Sequence, residues 1–118
     1  MSFREILRGL VESLGAEGAV MLAHDGEVVD SYASIDSIEM DLIGAHFGVI
    51  FNIMKDVSSR YGGSAVESVA IVTGSSRLVI SAIKEGYCLV IALGGRGPLG
   101  GPLLQSRRAV ERIEEEMG

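Results

Sequence analysis

Gly95, Gly97 and Gly100 stand in the order Gly-x-Gly-x-x-Gly, a spacing that can cradle a phosphate where a strand feeds a helix. That chemistry needs free backbone N–H groups, and Pro98 and Pro102 each remove one. Too few residues follow Gly100 to build the next strand, whose acidic residue would bind a ribose. The run therefore reads as a structural turn that lets a strand and a helix pack closely. Cys88 is the one cysteine, so no internal disulfide can form. It sits in a segment apolar on both faces and reads as a buried thiol rather than a nucleophile. His24 borders a turn and His46 lies among apolar residues, and neither has a companion at zinc spacing. His46 reads as an interface or core histidine. Asp36, Glu39 and Asp41 cluster where a helix begins, a place the helix dipole reserves for anions. No serine occupies a Gly-x-Ser-x-Gly elbow. No catalytic, cofactor-binding or metal-ligating residue is assigned, and no enzyme activity is expected.

Periodicity places these residues on elements. Phe3, Ile6, Leu7, Leu10, Val11 and Leu14 recur at helical spacing, with Ser2 and Glu5 set as a capping box and Gly15 as a stop. Residues 18–24 and 27–33 are strand-like and flank Asp25-Gly26, a strong hairpin signal. Asp36 or Ser37 opens a long helix to about residue 60, ended by Gly62-Gly63. Strands are expected at 66–73, 77–85 and 87–93, apolar on both faces and hence covered on both. A last helix has Pro102 in its first turn and a solvated face with Arg107–Glu111 and Arg112–Glu116 at i,i+4. The expected fold is a three-layer α/β/α sandwich around a five-stranded, largely antiparallel sheet, in the order α-β-β-α-β-β-β-α.

The long helix is apolar over too wide an arc. Stepping about 100° per residue from Ile43 puts Met40, Phe47, Ile50, Met54 and Val57 near it. Ile38, Leu42, Ala45, Val49 and Ile53 widen the arc to roughly 240°, whereas a surface helix needs little more than about 100°. One sheet cannot cover that, so a second partner is expected, most simply another copy of the chain related by a two-fold axis. Leu42, Ile43, Phe47, Val49, Ile50, Ile53 and Met54 are therefore assigned to core and dimer interface. A narrow arc remains, holding Asp41, Gly44, Gly48, Asn52 and Lys55. Each helical glycine costs about 1 kcal/mol relative to alanine. The pair signals close approach by another chain or a packing feature of this one.

Composition sets the class. In 118 residues there are 16 acidic and 10 basic side chains, a net charge of −6 that gives nucleic acid no basic patch. Length allows one domain, 1–118. The apolar content, 47%, exceeds what one small core absorbs and again suggests a surface buried between subunits. The apolar run at 88–93 is far below the ~20 residues of a membrane span, and no secretory leader is evident. A cytoplasmic protein without membrane insertion is expected.

Together these features resemble the Roadblock (dynein light chain) superfamily, and within it the prokaryotic MglB-like branch. The resemblance rests on residues 18–22 followed by Asp25-Gly26, on the apolar helix around 43–55, on Ile83-Lys84-Glu85-Gly86-Tyr87-Cys88-Leu89, and on Gly97-Pro98-Leu99-Gly100 through Arg108. It implies a Roadblock/profilin-like fold and dimers formed through the long helix and an edge strand. It also implies a Ras-like small GTPase as partner, with GTPase activation among the expected effects and no cofactor. On that platform Asp41, Gly44, Gly48, Asn52 and Lys55 would be the contact residues, since the apolar arc is already occupied. Arg60 or Arg96 could supply an arginine in trans, although no spacing places either at a phosphate. The alternative is a passive scaffold subunit indifferent to nucleotide state.

Overall fold

Ser2 caps the first helix, α1 (Phe3–Leu14), its hydroxyl accepting from the Glu5 N–H at 3.2 Å. Gly15 closes it in the left-handed conformation, φ 61°. A computed structural model describes residues 1–34, 36–62 and 64–118, and only the backbone of Ser37 and Ile38. After α1 come β1 (Gly18–Leu22), β2 (Val28–Ala33), α2 (Ser37–Tyr61), β3 (Ser68–Val72), β4 (Ser76–Ala82), β5 (Cys88–Gly94) and α3 (Gly100–Met117). The helix stop expected at Gly62-Gly63 falls after Tyr61, and Gly63 itself lies outside the described residues.

The strands form one sheet in the order β2-β1-β5-β4-β3, each neighbour antiparallel. Alternation along the strands splits the core in two. Ala19, Met21, Val79, Leu89, Ile91 and Leu93 face α1 and α3. Val20, Leu22, Leu78, Ile80, Cys88 and Val90 face α2. The three layers and the element order are as the sequence leads one to expect. At the β4–β5 turn Glu85 adopts a positive φ of 62° beside Gly86.

Two details of α3 differ from expectation. Neither the Arg107–Glu111 nor the Arg112–Glu116 ion pair forms among the described residues. Arg107 is half-buried and donates from Nη1 to the carbonyls of Ala82 (3.3 Å) and Glu67 (3.4 Å), where β3 and β4 meet and the Glu67 carbonyl also accepts from the Ala82 N–H. Beside it, the buried Ser81 and Ser106 hydroxyls bond at 2.6 Å, and Ser68 joins Ser81 at 2.7 Å. A polar chain thus ties α3 through β4 to β3.

Candidate interaction surface

Helix α2 packs chiefly over β1 and β2, less over β5 and β4. It meets the sheet on the side that carries the glycines. A Cβ on Gly44 would lie 2.5 Å from Val20 Cγ1, and one on Gly48 would lie 2.9 Å from Leu22 Cδ1. Both glycines are buried, with Met40 and Phe51 beside them.

Gly44 and Gly48, two of the five residues assigned to a partner, therefore seat α2 on its own sheet. Asp41, Asn52 and Lys55 flank them, half-buried. The Asp41 Oδ1 is buried with no hydrogen-bond partner among the described residues. The Lys55 ammonium lies 5.1 Å from the Phe51 ring centre. Asn52 lines a cavity of about 340 Å³ together with His24, Asp56 and Cys88. Burial pushes the Cys88 thiol up to about 11.

The face turned away from the sheet is apolar. Leu42, Val49 and Ile53 are each more than half exposed, at 57%, 57% and 59%. Ile50, Met54 and Val57 are exposed beside them, and Tyr61 stands out at 87%. His46 lies on this crest, its Nδ1 2.9 Å from the Leu42 carbonyl, so that nitrogen carries the proton. Ile43 and Phe47 are half-buried and turn toward β4, lining an open cleft with Thr73, Ser76 and Leu78. The Ile38 side chain lies outside the described residues. Contiguous exposed apolar surface of this kind is characteristic of interaction sites.

The two sheet edges differ. Ser34 donates to Glu17 O, so by alternation Ser31 and Ala33 of β2 turn their backbone groups outward. Ser31 is blocked: its N–H donates to Asp30 Oδ1 at 2.9 Å, and its carbonyl accepts from Arg4 at 3.2 Å. On the other edge, Thr73 donates to Ser76 O and Ala82 to Glu67 O. Ser68, Ala70 and Val72 of β3 therefore point outward, and no described side chain caps them. The β2 edge is protected and the β3 edge is bare.

The glycine loop after β5 is occupied by its own chain. Arg77 donates to Pro98 O at 2.9 Å and Gly94 O at 3.2 Å, and its guanidinium fills the space beside Gly97. The Gly95 N–H is also taken, donating to the Ser75 carbonyl at 3.1 Å. Among the described residues, no helix is long and apolar enough to cross a membrane.

Comparison with known proteins agrees with this geometry. Residues 3–93 match the Roadblock/LC7 domain. A Roadblock/LC7 domain from Streptomyces avermitilis superposes with a TM-score of 0.85 at 22% identity, over 96% of this chain and 95% of that one. MglB of Myxococcus xanthus gives 0.86 at 13% identity, over 98% and 94%. An MglB in a tetrameric arrangement gives 0.82 at 18% identity, over 94% and 84%. No curated protein matches by sequence.

Proposed function

The chain belongs to the Roadblock/LC7 family, and on that premise we propose that it is a homodimeric, non-catalytic regulator or platform for a Ras-like small GTPase. The observation that carries this reading is the exposed apolar ridge of α2 next to the bare β3 edge. Strand pairing at β3 would remove that edge and bring two α2 helices side by side over one continuous sheet. The flank Ile43, Phe47, Ile50 and Met54 then serves the dimer. The crest Leu42, His46, Val49 and Ile53 stays free for the GTPase, in place of the buried glycine arc. Self-association of a relative of the same fold supports the first half of the reading.

The mechanism is positional. A small GTPase carries its own phosphate-binding loop and magnesium, and its switch loops interconvert between states. A rigid apolar platform that binds one state better shifts the population toward it, by no more than the difference in affinity. The test is binding of the protein to the Ras-like GTPase of the same organism, loaded in turn with a non-hydrolysable GTP analogue and with GDP. Preference for one state, with hydrolysis rates then measured, is expected. Equal binding would make the protein a scaffold, and absence of binding would remove the GTPase from the account.

A further inference from the structure

The cavity of about 340 Å³ beside Asn52 opens where α2 crosses the end of β1, next to the β1–β2 hairpin. Its buried lining is apolar. Leu22 and Cys88 come from the sheet, and Gly48 comes from α2. Polar side chains join them: His24, Asp25 and Asp56 are exposed, and Asn52 is half-buried. Two of these four are carboxylates. No lysine or arginine lines the cavity among the described residues. Lys55 holds its ammonium 5.1 Å from the Phe51 ring centre, and Arg60 meets Asp56 at 3.2 Å without reaching the lining.

The hairpin wall is preformed. The Ala23 N–H donates to Glu27 O at 2.8 Å, Gly26 to Ala23 O at 2.9 Å, and Glu27 to Asp25 Oδ1 at 3.1 Å. The β4–β5 turn braces it from behind. Gly86 has φ 84°, and a Cβ there would lie 3.1 Å from His24 Cβ. Glu85 beside it holds a positive φ of 62°, a conformation the surrounding structure must enforce. A rigid wall loses little freedom when a ligand arrives. The volume stands at the small end of ligand pockets, enough for one ring or a branched chain.

We propose that this cavity binds a small hydrophobic ammonium compound, an aromatic or branched aliphatic amine. Its apolar body lies against Leu22, Gly48 and Cys88, and its charged nitrogen meets Asn52 and Asp56. Those two residues are four apart on α2 and so project side by side. The Asn52 amide oxygen and the Asp56 carboxylate both accept from an ammonium. Asp25 and the net charge of −6 add to the attraction. An anion would meet two carboxylates and no lining cation. The site depends neither on a dimer nor on a GTPase: it lies on the hairpin side of α2, away from β3.

The test is titration of the protein with three probes of one shape, 2-phenylethylamine, 2-phenylethanol and phenylacetate, followed by amide NMR shifts. The amine should saturate with a dissociation constant of about 1 mM or below, and the alcohol should bind about tenfold more weakly. Phenylacetate should not saturate. Shifts should concentrate at residues 22–26, 48–56 and 86–88. Asp56→Asn should weaken the amine about fivefold and leave the alcohol unchanged. Asn52→Phe, which fills the space, should abolish both, with circular dichroism showing both variants folded. Saturation by none of the three probes would overturn the site. Phenylacetate binding as tightly as the amine, or an amine indifferent to Asp56→Asn, would overturn the ligand class. Shifts centred elsewhere, or binding that survives Asn52→Phe, would overturn the location.

Discussion

Gly44 and Gly48 show how far a helical wheel can be read. Spacing located the narrow arc correctly but not the direction it faces. Glycine contributes no side chain to an apolar count, so the sheet-facing strip looked like the gap in the apolar arc. The distances give the two positions different consequences. At Gly44 a Cβ meets Val20 close to the stiff β-branched stem, so Gly44→Leu should destabilise by about 3 kcal/mol or more. At Gly48 it meets the far end of Leu22, which can turn aside, and Gly48→Ala should stay within about 1 kcal/mol of the parent. Thermal unfolding of both variants checks this; equal and small effects would mean that α2 is not seated by its glycines. Cys88 was legible from its strand alone. With its pKa raised to about 11 by burial, the neutral thiol is favoured in the fold. Stability from this group is therefore full below pH 9 and is lost as pH rises from 9 toward 11. At pH 8, alkylation of the folded protein should be slower than of the denatured chain by about a hundredfold or more, as the thiolate fraction falls.

At the scale of elements, the number, type and order of helices and strands were legible because each has a strong period and a clear turn signal. Strand order was not, since period 2 says which residues share a face but not which strands are neighbours. Nor was the difference between the edges, which depends on Arg4 reaching the Ser31 carbonyl from α1 and on the Asp30 side chain turning back to the Ser31 N–H. Arg107 is a similar case: a charge on a solvated stripe by spacing, a clamp on two strand carbonyls in space. The alternation of β3 makes a sharp prediction. Ala70 turns its N–H outward, so Ala70→Pro should fold nearly as the parent does yet lose strand pairing with a second copy. Ile71 donates into β4 by the same alternation, and Ile71→Pro should unfold the edge. Light scattering and circular dichroism together separate these outcomes. A dimeric Ala70→Pro protein would show that β3 is not the pairing edge. Ile50→Asp, on the exposed flank of α2, should likewise give a folded monomer.

For the whole molecule, the apolar excess in the composition has a definite location. Much of it lies on one flank and the crest of α2, above the side of the sheet that α2 leaves partly open. Composition could say that a second buried surface is needed, but not where, because location depends on how α2 sits across the strands. The account's central claim is that two copies close this gap through β3 and α2. Amide hydrogen exchange of the parent against Ile50→Asp tests it most directly. The account predicts slow exchange at Ala70 and Val72 in the parent, fast exchange at both in the variant, and no difference at Ala33 on the β2 edge. Fast exchange at Ala70 and Val72 in the parent, or protection appearing on β2 instead, would contradict it.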